Sequence, residues 1–142
     1  MSFFESMDIL SSGLSAERVR INTTTSNMAN AQTTRTEEGG PYRRRDPIFL
    51  AESRQPEAFA SEMQDAMQSV TVTDIVKDPG APRMVYNPKH PDANADGYVG
   101  MPNVNMVEEM VNMLTASRSY EAEVTAMHGL VGMAEKALGL GR

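Results

Sequence analysis

The hexapeptide Asp92-Ala93-Asn94-Ala95-Asp96-Gly97 comes nearest to carrying chemistry. Oxygen-bearing side chains at alternate positions, closed by a glycine for a sharp turn, make the first half of a calcium loop of the form D-x-N-x-D-G. Position twelve of such a loop needs a bidentate glutamate, and here it is Asn103. Pro88 and Pro91 exclude an entering helix. Asp92, Asn94 and Asp96 are therefore a weak metal candidate. The competing reading is an Asx-turn loop, whose side chains hold nearby backbone N–H groups. Glu108 and Glu109 are adjacent acids, but neighbouring helix residues point about 100° apart, so they do not share a face as acid and base. Their expected roles are at a helix dipole and at the surface. His90 and His128 each lack a second ligand at metal spacing. No nucleophile–base arrangement, phosphate loop or glycine-rich fingerprint is present. The expectation is a protein that is not an enzyme, with no catalytic residue and no cofactor.

Composition points the same way. The 142 residues include twelve Met, four Phe and four Tyr, with neither Trp nor Cys. Methionine is flexible and suits contacts that must fit several neighbours. Without Cys there are no disulfides and no thiolate metal sites. A net charge of −6 argues against nucleic acid, whose phosphates need a basic surface. Met1 to Ser12 has no basic n-region and carries Glu5 and Asp8, so it does not read as a cleaved signal peptide. No window approaches the roughly 18 apolar residues of a membrane span.

The elements that dominate the chain are its two ends. Residues 3–31 and 103–138 both carry apolar positions in a 4-3 alternation, the pattern of a helix with one adhesive face. The first stripe runs Phe3, Met7, Leu10, Leu14, Glu17, Ile21, Thr24, Met28, Ala31. The second runs Met106, Met110, Met113, Ser117, Tyr120, Val124, Met127, Val131, Ala134, Leu138. A 3.5-residue repeat keeps such a stripe facing a partner. Helices of these lengths reach roughly 43 and 54 Å, so they must pack on each other or on neighbours. The fold class expected is mostly α: long terminal helices paired as an antiparallel coiled coil around a small β-rich insert. The domain division expected is 1–34 with 101–142, and 35–100 as the insert. Ser2 with Glu5 makes a capping box for the first helix, and Asn103 is the expected N-cap of the second.

Between the helices, Glu37 to Pro41 reads as a loop. Tyr42 to Leu50 is a basic stretch feeding a short strand, with Arg43 to Arg45 either a solvated edge or a docking patch for an acidic partner. Residues 57–68 are a short helix or a loop. Val70 to Val76 is a β-branched strand. Asp78-Pro79-Gly80 should turn it into a hairpin with Arg83 to Tyr86, and Gly97 to Val99 is a candidate for a last short strand.

Two stretches carry a resemblance. Ser26-Asn27-Met28-Ala29-Asn30-Ala31-Gln32-Thr33 resembles the S-N-x-A-N-x-x-T signature of flagellar rod and hook proteins. Pro102-Asn103-Val104-Asn105-Met106-Val107-Glu108-Glu109-Met110, with Arg118-Ser119-Tyr120-Glu121-Ala122, is similar to their carboxy-terminal segments. The middle, from Glu38 to Arg44 and from Asp78 through His90 to Val99, narrows the resemblance to the proximal rod proteins. Glu123 departs from the Asn common there, and Thr23 to Thr25 is more polar than usual. The resemblance implies a structural subunit of the proximal rod of the bacterial flagellar basal body. Its copies would stack helically, transmit torque and enclose the export channel. Implied partners are the chain itself, other proximal rod proteins, the adaptor to the MS ring, the distal rod and, in transit, the type III export apparatus. The assembly interface would use Leu10, Leu14, Ile21, Asn27, Met28, Asn30, Met106, Met110, Met113, Tyr120, Val124, Met127 and Val131. The amides of Asn27 and Asn30 should cap the helix end or staple it against a partner backbone.

Overall fold

A computed structural model of the chain describes residues 3–53 and 68–140. The expected Ser2 cap, most of the 57–68 stretch and Arg142 lie outside those residues. Two long helices, α1 (Phe3–Ala29) and α2 (Met106–Gly139), flank four strands: β1 (Arg45–Ser53), β2 (Gln68–Lys77), β3 (Arg83–Tyr86) and β4 (Tyr98–Met101). The chain is thus two terminal helices with a small antiparallel β-rich segment between them.

α1 forms despite a run of poor helix residues. Its hydroxyls bond back into the helix: Ser12 to the Ile9 carbonyl (2.7 Å), Ser15 to Ser11 (2.9 Å), Thr23 to Val19 (2.9 Å) and Thr25 to Ile21 (2.8 Å). This satisfies groups that would otherwise compete with the helical backbone. Asn30 ends the helix. Its Nδ2 donates to the Ser26 carbonyl at 2.9 Å, and its Oδ1 accepts from the Thr33 hydroxyl at 3.1 Å. α2 starts two residues later than the expected cap. Asn105 is the N-cap, accepting from the Val107 N–H at 3.1 Å. Asn103 is diverted because its Oδ1 accepts the Arg44 backbone N–H at 3.2 Å. Glu108 and Glu109 lie in the first turn and Lys136 in the last, as the helix dipole favours.

The strand pairing differs from the expectation. β2 pairs with β1, and β3 pairs with β4, so there are two separate two-stranded antiparallel sheets. Asp78 Oδ1 takes the Gly80 N–H at 2.7 Å in an Asx turn, and the Asp78 N–H donates to the Arg44 carbonyl at 2.8 Å. The end of β2 is thereby held to the start of β1, and the chain leaves without folding back on itself. The β1–β2 register shifts between Ile48 and Phe49, placing Thr73 as the extra residue. β3 and β4 are joined by the loop from Asn87 to Gly97, where Gly97 adopts φ +81°. A Cβ there would stand 2.9 Å from Tyr86 Cε2, so this turn demands glycine twice over.

α1 packs on α2, β1 and β2. The two helices run in opposite directions where they meet: Asn27, late in α1, bonds Glu109, early in α2, while Gly13 lies against Glu123. The buried residues at this seam are small or polar, namely Ala16, Thr23, Thr24 and Asn27 on α1 and Glu109 and Ala116 on α2. Apart from Thr24, which belongs to both, the stripes sit one step to the side. On α1 the stripe is partly covered along its whole length, whereas on α2 Met106, Met110, Met113 and Val131 are exposed.

Candidate functional site: a buried polar knot beside an open helix face

Three segments distant in sequence converge on one buried amide. Asn27 is 1% exposed and Glu109 is 0% exposed. Asn27 Nδ2 donates to Glu109 Oε2 at 3.0 Å and to the Arg45 carbonyl at 2.8 Å. Its Oδ1 accepts the Arg45 N–H and the Tyr42 hydroxyl, both at 2.9 Å. The side chain therefore uses two donors and two acceptor positions, all an amide has. Toward Arg45 it does what a neighbouring strand would do, giving and taking one bond with the same residue's backbone. The amide is a staple, but its target is the start of β1 within the same chain and not a partner's backbone.

Glu109 is held from the other side by Arg44, whose Nε lies 2.7 Å from Glu109 Oε1. Arg44 Nη1 also reaches Asp46 at 3.2 Å. Partial burial works against the Arg44 charge, but the hydrogen bonds and charges of Glu109 and Asp46 outweigh it and hold the guanidinium above its ordinary pKa. A buried ion pair is tolerable when its remaining polar positions are filled, and here both carboxylate oxygens are used. The Arg45 guanidinium lies 5.7 Å from the centre of the Tyr42 ring, within cation–π range.

This arrangement corrects two expectations. Glu109 is not a surface acid, because the helix turn that follows Asn105 points it into the gap between α1 and β1. Arg43 to Arg45 is not uniformly a solvated edge: Arg43 is exposed, Arg44 turns inward to Glu109, and Arg45 pairs its backbone with Asn27. Glu109 and Arg44 were missed as knot residues because single residues show no partner. The only available signal was their place in segments that carry the resemblance, Glu109 in the carboxy-terminal one and Arg44 at the end of the Glu38 to Arg44 stretch.

The aspartate loop is occupied by its own backbone. Asn94 Oδ1 accepts from the N–H groups of Asp96 (3.1 Å) and Tyr98 (2.8 Å), and Asp92 Oδ2 accepts from the Thr34 hydroxyl at 2.8 Å. This is the Asx-turn arrangement. Among the described residues no group of three or more acidic or histidine ligands is placed to hold a metal ion.

Residues 7–35 match the family model described as flagella basal body rod protein, and residues 95–140 match the flagellar basal body rod FlgEFG protein C-terminal model. The first covers most of α1 and the Asn27 motif, the second β4 and α2. The chain is 40% identical to the flagellar basal-body rod protein FlgC of Borreliella burgdorferi, over 99% of this chain and 98% of that one. It is also 40% identical to FlgC of Bacillus subtilis and 38% identical to FlgC of Escherichia coli O6:H1, each over the full length of both chains. The chain belongs to the FlgC family. It is a structural subunit of the flagellar basal-body rod. No helix among the described residues is long and apolar enough to cross a membrane. In FlgC terms, the knot ties the amino-terminal rod segment to the carboxy-terminal one and to the insert between them.

The expected interface residues fall into two groups. Asn27 is spent inside the chain, Asn30 caps α1, and Leu10, Leu14, Ile21, Met28, Tyr120, Val124 and Met127 are half-buried. The other four, Met106, Met110, Met113 and Val131, are exposed, and beside them the first turns of α2 leave an apolar face in water that was not expected as such: Val107, Val111 and Leu114, like Met110, are more than half exposed.

Proposed function

We infer that this chain is a proximal rod subunit that stacks helically with its own kind and its neighbours, transmitting torque and enclosing the axial channel. The terminal segments 1–34 and 101–142 would form the tube as an antiparallel coiled-coil pair, with residues 35–100 as the outer insert. The half-buried stripe residues named above, with Met106, Met110, Met113 and Val131, would make contacts between subunits. Other proximal rod proteins, the MS-ring adaptor and the distal rod are the neighbours this reading requires, and passage through the type III export apparatus precedes assembly. The chain does no catalysis in this reading.

The observation that carries the reading is the α2 face. The chain closes its own helix seam with small and polar residues, and it leaves the larger apolar residues Met110, Val111 and Leu114 outside. Covering such residues stabilises by about 1.5–3 kcal/mol for each fully buried side chain, and repeated head-to-tail contacts give every copy that gain. Met110→Asp tests it. Met110 is 53% exposed, so the free chain should melt within a few degrees of the parent. In cells the variant should be made and soluble, but absent from purified basal bodies, and the cells non-motile. Normal motility would remove this face from the interface.

A further inference from the structure

Gly13 lies opposite Glu123, and the carboxylate fills the space a side chain would take: a Cβ on Gly13 would stand 2.8 Å from Glu123 Oε1 and 3.3 Å from Oε2. Glu17, one turn along α1, lines the same cleft of about 120 Å³, with Arg20, Ala16, Phe49 of β1 and Val70 of β2. Oε2 of Glu17 and Oε2 of Glu123 are both buried and have no hydrogen-bond partner among the described residues. The cation that lines the cleft, Arg20, pairs with Glu17: its Nη1 is 3.7 Å from Glu17 Oε1. Among the described residues the strands contribute only apolar groups, and Glu17, Arg20 and Glu123 are the titratable and charged groups that line this cleft.

We propose that Glu17 and Glu123 form a proton-operated latch across the α1–α2 seam, tightening the helix pair in acid and loosening it as pH rises. Two carboxylates brought together with unfilled oxygens oppose each other when both are charged. A proton on one removes the repulsion and supplies a donor. Glu17 has Arg20 nearby, so Glu123 takes the proton. Burial, and then the Glu17 charge, push the Glu123 carboxyl above its ordinary value. At pH below the ordinary carboxylate value Glu123 is protonated whether the seam is closed or open, and the closed seam keeps its full stability. As pH rises from there through the raised value, the closed form holds the proton more tightly than the open form, so closing weakens. Above the raised value the loss is complete. The inference concerns the helix pair itself and stands apart from the assembly face on α2.

The test compares the full-length parent with Glu123→Gln, which mimics the protonated acid, and with Gly13→Ala. The added methyl should displace the flexible Glu123 carboxylate toward water and leave every charge in place. Thermal melts are recorded from pH 4.5 to 7.5. Other carboxylates titrate in all three proteins, so the difference between variant and parent is read. For Glu123→Gln this difference should grow on going from pH 4.5 to 7.5, by about 2–4 °C in the variant's favour. Gly13→Ala should show the same growth. Because the chain has no cysteine, nitroxide labels at Ser11→Cys and Thr125→Cys, both on exposed positions, report the seam directly. Their separation should broaden at pH 7.5 in the parent and stay narrow in Glu123→Gln. A variant-minus-parent difference that is flat across this range, or a label separation in the parent indifferent to pH, overturns the latch.

Discussion

Asn27→Ala separates the knot from the helix end that shares its motif. The substitution removes two donated and two accepted bonds at a site 1% exposed. It leaves the Arg45 peptide without its partner on both sides, the Tyr42 hydroxyl without its acceptor, and one oxygen of the buried Glu109 without its donor. A neutral bond contributes about 0.5–1.5 kcal/mol net and one to a charged group about 1.5–3, so three of the first kind and one of the second sum to about 3–7.5 kcal/mol. Water entering the vacated space restores some of these bonds, which places the expected loss at about 3–5 kcal/mol. That is a large part of the 5–15 kcal/mol typical of a folded domain. Asn30→Ala, three residues on, removes only a cap bond to Ser26 and one from Thr33. Its expected loss is about 0.5–2 kcal/mol. Urea unfolding of the full chain, followed by circular dichroism, measures both. A loss below about 1 kcal/mol for Asn27→Ala, or one no larger than that of Asn30→Ala, would refute the claim that this amide holds the three segments together.

Two further outcomes follow from loop geometry. Gly97→Ala should lose about 1–3 kcal/mol in chemical denaturation, because alanine at φ +81° is strained and its Cβ collides with Tyr86. Asp96→Ala should leave the calcium isotherm unchanged in calorimetry, because Asn94 already spends its oxygen on the backbone and Asn103 spends its own on Arg44; a micromolar affinity abolished by the change would contradict this.

What was legible in the sequence was what repeats locally. The 4-3 stripes gave away both helices, and the β-branched run at Val70 to Val76 gave away β2. The partner of β2 was not legible. Asp78-Pro79-Gly80 has the chemistry of a hairpin turn, but a turn signal does not say which strand lies beside the next, and here the Asp78 N–H is claimed by Arg44. Nor was the seam legible from hydrophobicity. Gly13, Ala16 and Ala116 are unremarkable in a pattern scored by apolar residues, yet they mark where the helices come close. Glu109 and Arg44 look like ordinary surface charges until Asn27 is placed between them, because the knot is a fact about three segments and no window contains all three.

The separation of polar seam from apolar face has a physical sense in a chain that belongs to a rod. Apolar contact is strong but poorly directional, so a chain that closed its own seam with Met and Leu could exchange that seam for a neighbour's at little net change. A fully bonded amide and ion pair behave differently. Any wrong partner leaves Asn27, Glu109 or the Arg45 peptide unsatisfied, at about 1–3 kcal/mol for each buried group. The fold within one copy is thus specified by hydrogen-bond geometry, and the methionines and valines on the first turns of α2 take no part in it, which leaves them free for the contacts between copies proposed above. Methionine is the side chain best able to adapt to neighbours that differ in shape. The two kinds of surface lie side by side on α2, with Glu109 buried and Met110 exposed at consecutive positions. One helix can therefore hold its own chain in register and still present an adhesive face outward.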